Sequence, residues 1–175
     1  MTMSVQGCSL GAALHGGALM TAPGAGLGAS GAAEFGALAH VPRDLAVGFA
    51  SRVQFLRTPA GGDLFLLRTA LVLGYARLPT PTGGPLGAEV LARVECESTE
   101  TGFGFLPGLS VALPVRLLRR AAPGEGASLV GAWWALVPAA QVSVPVAPSG
   151  LLAARGVELS VSVGLRLHLT TALWP

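Results

Sequence analysis

Between Val157 and Leu169 every odd position is apolar: Val157, Leu159, Val161, Val163, Leu165, Leu167 and Leu169. Between and beside them stand Glu158, Ser160, Ser162, Gly164, Arg166, His168 and Thr170. A period of two is that of a β-strand with one apolar and one polar face, whereas a helix spaces its apolar residues by three and four. Length sharpens the constraint. Thirteen residues at about 3.3 Å each reach about 43 Å, or about 30 Å of height at a tilt near 45°. Strands of soluble domains usually stop at about five or six residues.

The same period recurs along the chain. It places Leu45, Val47, Phe49, Val53 and Phe55 on one face, then Phe65, Leu67, Leu71, Leu73 and Tyr75. Leu86, Ala88, Val90, Ala92, Val94 and Cys96 follow, and then Phe103, Phe105, Leu109, Val111, Leu113, Val115 and Leu117. Trp134, Leu136, Val142 and Val144 share a face further on. Residues 26–38 are a Gly/Ala-rich version, and 9–20 offer one more strand. Turn-type segments such as "TPAGGD", "PTPTGGP" and "APGEGAS" separate the runs. The apolar run 126–154 could span a membrane as a helix by length, but it holds Pro138, Pro145 and Pro148, and each interior proline costs a helix about 3 kcal/mol. The reading is an all-β chain, an antiparallel up-and-down β-barrel of about eight strands in one domain over 1–175. The "FLPG" segment at 105–108 is the one place where a turn would change the strand count.

Charge decides which solvent meets the apolar face. Only 11% of residues are charged, against about a quarter in ordinary globular chains. Glu34, Arg52, Arg68, Glu89, Arg93, Glu95, Glu97, Arg116, Glu158 and Arg166 all fall on polar strand faces, with His168 beside them. Arg57, Arg77 and Arg119 have the opposite parity but stand at strand ends, where an arginine can snorkel to an interface. No charge is left for the middle of the apolar face. This pattern predicts a membrane-embedded barrel with the lipid bilayer as partner and a polar network in its lumen. An interior of about eight strands is filled by side chains, so the network plugs it rather than lining a pore.

The chemistry this chain offers is sparse. A net charge of +2 without a basic patch argues against nucleic acid. Cys8, Cys96, His15, His40 and His168 have no metal-ligand spacing, and "GAGLGASG" at 24–31 lacks the strand–turn–helix context of a nucleotide site. The Glu89, Arg93, Glu95 and Glu97 cluster reads as a structural group awaiting arginines, and His168 as a lumen residue hydrogen-bonded to a glutamate. The expectation is no enzyme, no cofactor and no metal.

The amphipathic strands, short turns and polar inward residues together resemble the small eight-stranded bacterial outer-membrane barrels, the class of the OmpA transmembrane domain and OmpX. The resemblance is architectural and covers nearly the whole chain. It implies a bacterial outer-membrane location and a structural or docking role, with other envelope proteins as partners. Such barrels usually end on an aromatic residue, whereas here Trp174 is penultimate. "HLT" at 168–170 is similar to the His-x-Ser pair of a lipid A deacylase barrel, with Thr170 in place of the serine. Cys8 in "SVQGCSLG" is similar to the end of a bacterial lipoprotein signal, which makes Cys8 a lipidation candidate and 1–22 a remnant of such a leader if a longer precursor precedes Met1. The absence of Lys, Ile and Asn fits a GC-rich genome. Two other architectures share the alternation: a soluble lipocalin-like barrel binding an apolar small molecule, and a β-sandwich subunit of a larger assembly.

Overall fold

Alternation becomes pleat in a computed structural model that describes residues 7–22, 26–41, 44–57, 63–79, 85–99, 102–119, 130–146 and 156–172. The strands are β1 (Gly7–Ala22), β2 (Gly26–Val41), β3 (Leu45–Arg57), β4 (Asp63–Arg77), β5 (Ala88–Thr99), β6 (Gly102–Ala112), β7 (Val115–Arg119), β8 (Val130–Ser143) and β9 (Val157–Ala172). From β1 to β6 each strand pairs antiparallel with the next, and β1 also pairs with β9. β8 pairs with β9 on one side and with both β6 and β7 on the other. β6 and β7 are thus two halves of one wall position, separated at Leu113 and Pro114. The result is a closed antiparallel barrel with eight positions around its wall. Closure pairs the strands around the wall, as a chain within a bilayer requires, and β7 is joined on its other side by a bridge between Leu86 and Val115.

Two segments that the sequence left open take shape here. "FLPG" is wall and not a turn: Pro107 lies inside β6 opposite Val94. The segment offered both as a strand over 9–20 and as a leader remnant is β1 from Gly7 onward, paired along its length with β2 and β9. Residues 1–6 lie outside the described residues, as do Arg43, Glu100, Arg120, Glu125, Arg155 and Trp174. Cys8 is a half-buried free thiol near the start of β1.

The barrel is inverted relative to a soluble protein. Its outward positions carry Leu14, Phe65, Leu71, Leu73, Val94, Phe103, Val161 and Val163, all exposed, with Phe65 and Leu71 at 72%. Soluble monomers seldom expose an apolar patch beyond a few hundred Å². Among the described residues the exposed charges are Asp44, Arg57, Asp63 and Arg77, each in a turn or at a strand end. Asp44 has φ 60° in the turn between β2 and β3, a left-handed conformation that Asp tolerates better than most residues. Buried inside are Arg68, Glu89, Arg93, Glu95, Glu97, Gln141, Glu158 and His168.

Candidate functional site in the lumen

The inward parity of each strand delivers one part of a polar assembly. Glu34 comes from β2, Arg52 from β3, Arg68 from β4, and Glu89, Arg93, Glu95 and Glu97 from β5. Arg116 comes from β7, and Glu158, Arg166 and His168 from β9. Glu34, Arg52, Arg68 and Glu97 are successive cross-strand neighbours. The same row continues the other way through Ala13, Arg166 and Ala135 to Arg116. Beyond Glu97 it meets Gly104 on β6, so a row that leaves the β6–β7 wall position at Arg116 returns to it lower down. This stagger accompanies strand tilt in a closed barrel. It lets side chains from distant strands meet at one height.

The contacts run across the lumen more than along the wall. Arg68 donates through Nε to Glu97 at 2.6 Å, through Nη2 to Glu158 at 2.7 Å and through Nη1 to Glu95 at 3.5 Å. It therefore ties β4 to β5 and to β9. Arg52 donates to both oxygens of Glu95, at 3.1 and 3.3 Å, and to Oε1 of Gln141 on β8 at 3.4 Å. Arg166 grips Glu89 with Nη1 at 2.7 and 2.9 Å. Arg93 reaches Glu34 at 3.3 Å. Its Nε lies 3.2 Å from Glu95 but makes no hydrogen bond, so that contact is an ion pair only. Glu95 and Glu97 are fully buried. Charges buried this far are tolerable only when paired and hydrogen-bonded. The three glutamates of β5 are directed at guanidinium groups rather than at a common point between them.

Arg116 and His168 stand apart from the carboxylates. The Arg116 guanidinium lies over the Trp133 ring, 5.6 Å from its centroid. Trp133 in turn stacks on His168, with centroids 4.0 Å apart and planes 7° from parallel. Neither His168 nitrogen has a hydrogen-bond partner among the described residues. The expected bond from His168 to a glutamate is therefore replaced by stacking, because the nearest inward neighbour on β8, directly opposite in register, is Trp133. The Thr170 side chain lies outside the described residues, and among the described residues no carboxylate bonds His168 to orient it as a general base would need.

Sequence reasoning left several members unnamed. Gln54 is buried in the lumen, Gln141 bridges Arg52 to Ser143, and Ser9 is hydrogen-bonded to His40 at 2.8 Å. Each shares the inward parity of its strand, so alternation alone was enough to find them. His15 lies where Gly164 faces it across the β1–β9 pair, and a Cβ at 164 would strike the imidazole. Glycine there makes room for the ring. Between these groups the lumen keeps a cavity of about 100 Å³ that His15, Glu34, Gln54, Arg93, Arg166 and His168 help to line.

No protein family and no curated protein matches the sequence. Among solved structures, the chain is similar to the crystal structure of Neisserial surface protein A (NspA), with 15% identity, a TM-score of 0.46, and coverage of 91% of this chain and 95% of that one.

Proposed function

We propose that this chain is a small bacterial outer-membrane β-barrel whose lumen is closed by ion-paired side chains. It serves as a structural or partner-docking element of the envelope and not as a catalyst. One observation carries the reading. The outward face is apolar around the barrel with no described charge between strand ends, while the ionic groups are turned inward. Only a solvent less polar than the lumen accounts for that inversion. A lipocalin-like binder of apolar molecules would need the reverse, an apolar cavity under a polar surface. The strands are long enough for a bilayer, and transverse ties such as Arg68–Glu158 and Arg166–Glu89 fill the space a pore would need. The bilayer is the first partner, and other envelope proteins are the docking partners this role implies.

Fractionation with a heat-modifiability gel tests the reading. The expected outcome is a protein extracted only by detergent, with a mobility shift on boiling, and no conductance steps in planar bilayers. Recovery in the soluble fraction without a shift would overturn the membrane assignment. Steady conductance would overturn the closed lumen.

A further inference from the structure

Among the described strands, proline interrupts only those that close the barrel. β1 to β5 and β9 contain none, whereas Pro107 lies in β6, Pro114 between β6 and β7, and Pro138 in β8. Direction matters as much as position. The Val144 amide donates to the Pro107 carbonyl at 2.9 Å, and the Leu113 amide donates to the Pro138 carbonyl at 3.0 Å. In an antiparallel ladder, hydrogen-bonded residues exchange two bonds, and a residue's N–H and C=O face the same neighbour. The return bond in both pairs would come from a proline nitrogen, which has no hydrogen. The contact between β8 and the β6–β7 wall position therefore lacks two ladder bonds, and a register shift follows between Arg116 and Leu118. The β1–β9 contact, two contacts further around the wall, runs unbroken from Gly7–Ala172 to Ala22–Val157.

What lies behind this seam gives it a use. Three of its inward side chains are small, Ser110 and Ala112 on β6 and Ala139 on β8, and with Gln141 of β8 they line the lumen cavity. Buried apolar and ionic groups stand toward both ends of the barrel axis. Toward the rim where β2 and β4 end stand Ala46, Ala76 and Leu91 with Leu38, and Trp133 with Ala135 and Val137. Toward the other rim stand Leu19, Leu56, Leu66 and Leu106, all buried, with Arg68 and its glutamates. We propose that the barrel wall parts between β8 and the β6–β7 strand, so that the lumen cavity exchanges with the bilayer sideways and not through either rim. This rests on the membrane-barrel reading.

Hydrogen exchange of the unaltered protein in phosphatidylcholine vesicles is the first test. The seam amides of Leu109, Val111, Leu113, Ala140 and Val142 exchange about tenfold or more faster than those of the β1–β9 contact, since two ladder bonds are missing from the seam. Ser162→Cys, in a Cys8→Ala/Cys96→Ala background, then reports entry to the cavity. Uncharged N-ethylmaleimide reacts faster there than a charged methanethiosulfonate, each rate being normalised to glutathione. Pro107→Val with Pro138→Val, both at outward positions, restores the two donors and lowers both the seam exchange and the maleimide rate. Uniform protection around the barrel overturns the inference without any variant, as does a maleimide rate indifferent to the two valines. A faster charged reagent would place entry at a rim and also overturn it. A chain that shows no boiling-dependent mobility shift defeats the membrane reading instead, so the two failures are distinguishable.

Discussion

Ser162 and Val163 are neighbours in β9, yet they belong to opposite surfaces. Val163 is 52% exposed on the outward face, and Ser162 lines the lumen cavity. The outer surface is held to one requirement, that nothing polar remain unpaired there, and it meets this mainly by composition. Ser51 and Thr69 are polar residues on that side, and their hydroxyls lie 3.3 Å apart, each within reach of the other. The lumen is held to a stricter requirement, because its charges must each find a partner in a space too small for alternatives. One face tolerates exchange among apolar residues; the other depends on particular pairs.

The largest expected effect tests the lumen side of this contrast. Arg68→Met removes the guanidinium that Glu95, Glu97 and Glu158 share, and breaking a buried pair from one side costs about 3–5 kcal/mol. Urea unfolding of the vesicle-inserted protein should show that loss, with partial recovery in Arg68→Met/Glu97→Gln. No loss would mean that the pairs are incidental to the fold. Val163→Arg comes next, at about 2–4 kcal/mol for an arginine near mid-bilayer, read as slowed insertion into vesicles. Ser162→Arg places the same charge one residue away in the lumen and should insert faster than Val163→Arg; equal effects would erase the distinction between the faces. Gly17→Ala puts a Cβ against the Val161 carbonyl and the Ser162 backbone, and overpacking of this kind costs about 1–3 kcal/mol. The smallest effect belongs to Ser51→Val with Thr69→Val, below about 1 kcal/mol by the same unfolding measurement, since both partners of one bond are removed together. A large loss there would show that the outer surface also depends on pairs.

The lumen network was partly legible before any coordinates. Parity assigns Glu34, Arg52, Arg68, Glu89, Arg93, Glu95, Glu97, Glu158 and Arg166 to one set, because consecutive strand side chains point to opposite faces. Register between sequential strands would even suggest Arg68 with Glu97, which are direct neighbours and do pair. The same reasoning fails one strand away. Glu34 and Arg52 are also direct neighbours, yet Glu34 reaches Arg93 and Arg52 reaches Glu95. Arg52 and Arg68 sit opposite each other as like charges, an arrangement that Glu95 makes tolerable by accepting from both. Trp133 was similarly visible as an inward residue, but its stacking on His168 was not.

Sequence alone therefore determined the strands, the two faces and the absence of charge from the outward one. These follow from a period of two, which is local to each strand and independent of its neighbours. Tertiary structure alone decided the rest: that β6 and β7 share one wall position, that β8 closes on them, and that Arg166 meets Glu89 while Arg68 meets Glu158. Those pairings depend on how far the strands stagger as the sheet closes, a property of the whole ring that no single strand encodes.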